Sequence, residues 1–163
     1  MIRPATPADA EAIARIYNPY VADTIISFET EAVTAEAMAT RILGIQETYP
    51  WYVREDAGAV VGYAYASRWK ERQAYRFAVE TTVYVAPGLA RRGIGSSLYE
   101  VLLPDLRQHG WHTALGGIAL PNDASVALHE RFGFRKAAHL PQVGWKFGRW
   151  VDVGYWALVL DAD

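Results

Sequence analysis

Cysteine is absent from the 163 residues. The chain therefore has no disulfide framework, thiolate zinc site or cysteine nucleophile. An excess of one charge is absent too: 16 Lys and Arg stand against 18 Asp and Glu, a formal net charge of −2. A nucleic-acid or anionic-membrane surface usually shows as a basic excess, so neither partner is expected. Long apolar runs are also missing. None approaches the roughly 18 to 20 residues of a membrane helix. The N-terminal MIRPATPADAEAIARIY carries acidic residues early, unlike a secretory leader. A soluble, cytoplasmic chain is the expectation. His109, His112 and His139 show no ligand spacing with each other, so no metal is expected.

The chain is rich in aromatics, at 13%, with 6 Trp and 10 Tyr. Core filling and pocket lining both account for them. The length suits one domain, 1–163, with a sizeable core.

Periodicity gives the order of elements. Residues 1–5 read as a strand, and Thr6-Pro7 opens a helix with a cap and a proline at its first position. Ile13, Ile16, Tyr17 and Tyr20 form its apolar face, and Asn18-Pro19 is expected to weaken its end. A second helix begins after Thr34, with Met38, Ile42 and Ile45 inward. Strands are predicted at Trp51–Arg54, Val60–Ser67 and Ala78–Val85. A helix from Gly93 to His109 follows, then a strand at Thr113–Ile118 and a helix from Asn122 to Phe132. The tail reads as Gln142–Trp145, a turn at Lys146–Arg149, and Val151–Leu160. This order predicts an α/β fold whose mixed, mostly antiparallel central sheet is flanked by helices. Its parallel part should lie at the crossover helix.

The densest chemistry lies in Ala90-Arg-Arg-Gly-Ile-Gly-Ser-Ser-Leu98, between a strand and a helix. Gly93 and Gly95 let backbone approach a ligand. The helix N-terminus offers free N–H groups and a positive dipole end, and Arg91 and Arg92 add charge. The pattern suits a pyrophosphate. A P-loop would need Gly-Lys-Ser/Thr, and a dinucleotide fingerprint would need glycine where Leu98 stands. A tight turn without a ligand is the competing account.

Glu80 is the lone carboxylate in Phe77-Ala-Val-Glu-Thr-Thr-Val-Tyr-Val85. Alternation puts it on one face with Thr82 and Tyr84. Burial would raise its pKa and make it a base able to take a proton from an ammonium group. Solvent exposure, or an ion pair with Arg76, would leave it structural. His129, on the predicted helix from Asn122 to Phe132, is a further titratable group able to donate or accept a hydrogen bond. It could equally be a satisfied helix-face histidine.

Arg91-Arg-Gly-Ile-Gly-Ser96 resembles the pyrophosphate loop of the GNAT acetyltransferases, with Ala90 where that family carries Gln or Arg. Pro121-Asn-Asp-Ala-Ser-Val-Ala-Leu-His129-Glu-Arg131-Phe-Gly-Phe134 resembles their last helix and turn. A narrower likeness spans about 150 residues. Ile2-Arg-Pro-Ala5, Tyr49-Pro-Trp51, Gly62–Ala66, Val79–Val85, Leu140–Gly144 and Lys146-Phe-Gly-Arg-Trp150 are similar to the phosphinothricin and methionine sulfoximine N-acetyltransferases.

That resemblance implies acetyl-CoA as cosubstrate and a small amino-acid-like acceptor. It implies Val83, Tyr84 and Val85 on the pantetheine arm, and Arg91, Arg92, Gly93, Ile94, Gly95 and Ser96 on the pyrophosphate. Asn122 and Arg131 would lie nearby. Glu80 would be the base, with His129 its partner. Phe28, Lys70, Tyr75 and Arg76 would border the acceptor, and a homodimer is implied. A peptide N-acetyltransferase and a non-enzymatic acyl-CoA sensor are the alternatives. Bulky Phe28 and Trp69 argue against an extended peptide groove.

Overall fold

The computed structural model describes residues 1–161. Its elements are β1 (Ile2–Pro4), α1 (Ala10–Asp23), α2 (Ala35–Gln46), β2 (Trp51–Asp56), β3 (Ala59–Arg68), β4 (Ala78–Val85), α3 (Ile94–Gln108), β5 (Thr113–Ala119), α4 (Asp123–Arg131), β6 (Arg135–Lys146) and β7 (Arg149–Val159). Seven strands form one sheet in the order β1-β2-β3-β4-β5-β7-β6. Among the described residues only β4 and β5 pair in parallel. They flank the crossover through α3, as a right-handed strand–helix–strand unit requires.

Each face of the sheet carries its own core. Leu98, Leu102 and Leu106 of α3 recur at helical spacing and pack on Val79, Ala114, Ile118 and Trp156. Ile13, Ile16 and Tyr17 of α1, with Met38 and Ile42 of α2, cover Trp51, Val53 and Tyr63 on the other face. Alternation along β4 divides its side chains between them. Val79 and Val83 belong to the α3 side and Tyr84 to the α1–α2 side, so Glu80 and Thr82 face α1–α2 as well.

Two expectations are corrected. α1 does not weaken at Asn18-Pro19 but runs to Asp23. Pro19 removes one helical donor, yet tertiary contacts hold the last turn. Val21 is buried, and Tyr20 Oη donates to the Val85 carbonyl at 2.6 Å. Asn18 turns its amide outward and brackets Val33, donating to its carbonyl at 2.9 Å and accepting from its N–H at 2.8 Å. The second correction is β6, which starts at Arg135 rather than Gln142. It is an edge strand whose register shifts twice, between Lys136 and Ala138 and between Leu140 and Gly144. Pro141 falls in the second irregularity, where no ladder hydrogen bond is lost to it.

Candidate active site

The parallel pairing of β4 with β5 lasts three rungs, Ala78–Glu80 against Thr113–Leu115. β4 continues to Val85 and β5 to Ala119, each pairing only with its antiparallel neighbour. A gap therefore opens between them. Ala86 N–H donates to Val61 O at 2.8 Å, and Ala66 N–H turns away from β4 to Pro50 O at 3.2 Å. The two-residue alternation of an antiparallel ladder then directs the backbone of Thr81, Val83 and Val85 into the gap. Val83 there offers an N–H and a carbonyl to a ligand. Tyr84, one residue out of phase, turns its backbone toward β3.

At the end of that edge lies the glycine turn. Arg91 and Gly93 both take positive φ, at 65° and 73°. Gly93 is the N-cap of α3, and no side chain caps the helix. The first helical hydrogen bond is Ser97 N–H to Gly93 O, at 3.0 Å. The N–H groups of Ile94, Gly95 and Ser96 thus have no intrahelical acceptor. Ser97 gives its hydroxyl to Ile94 O and accepts from Arg54. Arg91 and Arg92 are exposed beside the turn, and Arg131 reaches Ser96 Oγ at 3.4 Å. The result is an open, positive helix end suited to an anion. Asn122 acts locally, its Oδ1 capping α4 by accepting from Ser125 N–H at 3.2 Å.

Glu80 lies on the α1–α2 side, partly buried, and accepts no hydrogen bond among the described residues. Burial raises its pKa, with the Lys70 ammonium opposing this more weakly. β5 passes close by at Gly117, where a Cβ would lie 3.1 Å from Glu80 Oε1 and 2.9 Å from the Tyr155 ring. Trp69 meets Tyr155 edge-on at 4.9 Å, and Lys70 Nζ lies 5.1 Å from the centre of the Trp69 ring. One step along β4, a cavity of about 130 Å³ is lined by Tyr17, Met38, Arg41, Trp51, Tyr63, Tyr65, Thr82 and Tyr84. Tyr17 and Arg41 spend donors on Glu29, whereas Trp51 Nε1 is buried with no acceptor among the described residues and could meet an oxygen-bearing group.

Several expected residues are not gathered here. His129 is not the partner of Glu80. It is 3% exposed and lies under the other face of the sheet. Its Nδ1 bonds Ser125 O at 2.7 Å, and its Nε2 lies 2.9 Å from Tyr99 Oη, which also bonds Thr81 Oγ1 at 3.0 Å. A Cβ at Gly116 would come within 2.6 Å of Nε2. Burial lowers the His129 pKa and favours the neutral ring. Tyr75 and Arg76 are also apart from Glu80. A 3-10 turn at Gln73–Tyr75 folds Arg76 back onto Gln73 O and the Phe77 ring. Tyr75 and Phe77 line a separate cleft of about 420 Å³ with Ala78, His112 and Thr113, at the N-terminal ends of β4 and β5. Phe28, by contrast, stays beside the site: it stands in the α1–α2 loop next to Glu29, which bonds the cavity residues Tyr17 and Arg41, and its ring lies against Gly144 of β6.

Gly117, Tyr155, Tyr65 and Trp51 were not assigned to the site from sequence. The Gly116-Gly117 pair inside a strand was one signal, since strand glycines mark close approach of another group, and the resemblance stretches containing Trp51 and Tyr65 were another.

This arrangement, a splayed parallel pair leading to an uncapped helix N-terminus, agrees with what the chain is similar to. An acetyltransferase (GNAT) domain model matches residues 2–154, and the chain belongs to that family. The phosphinothricin N-acetyltransferase of Streptomyces viridochromogenes is 43% identical over 155 residues, covering 95% of this chain and 85% of that one. The L-methionine sulfoximine/L-methionine sulfone acetyltransferase of Salmonella typhimurium is 38% identical, covering 98% and 94%. A GNAT superfamily phosphinothricin acetyltransferase from Sinorhizobium meliloti, solved in complex with AcCoA, superposes with a TM-score of 0.95 at 34% identity, covering 99% and 88%.

Proposed function

We propose that this chain moves the acetyl group of acetyl-CoA directly to the α-amine of a small amino acid whose side chain ends in oxygen. The observation that carries the reading is the juxtaposition of an unpaired β4 edge, an open helix N-terminus and a partly buried carboxylate. The pyrophosphate binds at Arg91 to Ser96, with Asn122 and Arg131 beside it. The pantetheine arm lies along Val83 and Val85. Tyr84 contributes its ring to the acceptor cavity rather than its backbone to the arm.

Glu80 takes a proton from the acceptor ammonium. The freed amine attacks the thioester carbonyl, and the oxyanion is met by the Val83 N–H. The C–S bond then breaks, and CoA leaves as the thiolate. With no cysteine in the chain, the transfer uses no cysteinyl intermediate. Lys70 holds the acceptor carboxylate. The cavity of Tyr65, Thr82 and Trp51 takes the side-chain oxygens, and Phe28 roofs the site. Acetyl-CoA dependence makes the cytoplasm the expected place of work.

An acetylation screen tests this reading. L-methionine sulfone, L-methionine sulfoximine and phosphinothricin should be acetylated with release of CoA. Peptides with free N-termini should not, because bulky Trp69, Tyr155 and Phe28 argue against an extended groove. Peptide turnover that outpaces the free amino acids would overturn the substrate class.

We also assign the tip of the β6–β7 hairpin as the contact with a second copy. Trp145, Phe147 and Trp150 are each 58–59% exposed, and the two tryptophan rings pair at 4.7 Å. Patches of this kind mark interaction sites. Sedimentation equilibrium should give a dimer for the native chain and a monomer for Trp145→Asp/Trp150→Asp. A native monomer would refute the assignment.

A further inference from the structure

Lys146 is a charged side chain that the proposed chemistry leaves unused. It is 5% exposed and forms no ion pair among the described residues. Its ammonium donates to one carbonyl, that of Ser27, at 2.6 Å, and sits 5.2 Å from the centre of the Phe147 ring. Burial lowers its pKa. A buried cation with so few partners costs stability, so an apolar side chain of similar length in its place need not unfold the chain.

What it holds is the loop after α1. Residues 25–29 run between the β5-β7-β6 side of the sheet and the cavity residues Tyr17 and Arg41. Ile25 packs on Ala119 and Val151, at the open end of β5. Ser27 bonds Tyr17 Oη at 2.6 Å, and Glu29 bonds Tyr17 and Arg41, both of which line the cavity. Between Ser27 and Glu29 stands Phe28, its ring pressed on Gly144, where there is no room for a Cβ. Tyr17 and Arg41 tie the loop to the helices. Lys146 provides the polar tie to the β6–β7 hairpin, on the other side of Phe28.

We propose that Lys146 is a positioning residue for the acceptor: by holding the Ser27 carbonyl, it fixes Phe28 over the acceptor site. This rests on the reading that Phe28 roofs that site. Lys146 touches neither substrate nor reacting atoms. Its effect is confined to acceptor binding, and it reaches the acceptor only through Phe28.

The test is a double-mutant cycle on Lys146→Met and Phe28→Ala. It is read by steady-state kinetics with L-methionine sulfone and acetyl-CoA and by thermal melting. Methionine keeps the length of the lysine stem and removes the buried charge, so Lys146→Met should melt at the native temperature or above. Its acceptor KM should rise about five- to tenfold, with acetyl-CoA KM unchanged, as loss of a contact specific to the acceptor requires. The double variant should be no worse than Phe28→Ala alone, because the two residues act in series. The proposal is overturned if Lys146→Met leaves acceptor KM unchanged, or if the two effects multiply. It is also overturned if the melting temperature falls while both KM values rise together. An unchanged acceptor KM in Phe28→Ala has a different meaning: the roof itself is misassigned, and the acceptor site lies elsewhere.

Discussion

Glu80→Gln is expected to fold, bind CoA normally and lose kcat by about 10² to 10⁴, the usual worth of general-base catalysis. Glutamine keeps the shape of the side chain but cannot take a proton. The pH profile identifies the role. Burial raises the Glu80 pKa, so the ionised base is lost as pH falls through that raised value. The acid limb of kcat/KM should therefore lie above the range of an ordinary carboxylate, and the variant should lack it. At high pH the acceptor amine is already deprotonated and the deficit should shrink. A residue that only positions substrate would leave the same deficit at every pH. Near-native kcat at neutral pH in Glu80→Gln would move the base elsewhere. His129 would be a poor substitute, since it is enclosed between Ser125, Tyr99 and β5 on the far face.

Gly95→Val should weaken CoA binding by at least about tenfold, roughly 1.4 kcal/mol. Gly95 is buried in the first turn of α3. A Cβ there would lie 3.2 Å from Leu128 Cδ2, 3.8 Å from Val83 Cγ2 and 3.9 Å from Val85 Cγ2. A single methyl can be accommodated by a shift of the Leu128 tip, so Gly95→Ala should be mild. Valine adds two branches between the helix end and the β4 edge, where the ligand's phosphates meet its arm. Calorimetry with CoA measures the loss, and circular dichroism checks that the variant is folded. Native affinity in a folded Gly95→Val would remove the glycine turn from the site.

The parts of the site that were legible in the sequence lie within one stretch of chain. Glu80, the strand around it and the glycine turn fall within about twenty residues, so alternation and helix-end chemistry place them. What could not be read depends on how distant segments meet. The helix carrying His129 was legible, but the side of the sheet it covers is set by the α4 crossover. Tyr155 reaches Glu80 only because β7 pairs with β5 so that Tyr155 lies opposite Gly117. Lys146 and Ser27 are 119 residues apart, and no local pattern links them. The start of β6 was hidden by Pro141, which argues against a strand unless that strand is an irregular edge. Asn18-Pro19 misled for a related reason, because packing outweighed a local helix breaker.

The three-rung junction between β4 and β5 has a mechanical consequence. The sheet consists of two panels, β1 to β4 and β5-β7-β6, joined by Ala78–Glu80 and Thr113–Leu115 and bridged by α3. Elsewhere along the seam, backbone groups that would have closed the sheet face the gap. A chain-like ligand laid along Val83 substitutes for the missing length of strand and fastens the panels together. It binds the folded sheet and not the unfolded chain, so its affinity adds directly to the cohesion of the whole domain. On the proposed placement along Val83 the cosubstrate would act as a removable eighth strand, and CoA should raise the melting temperature of the domain.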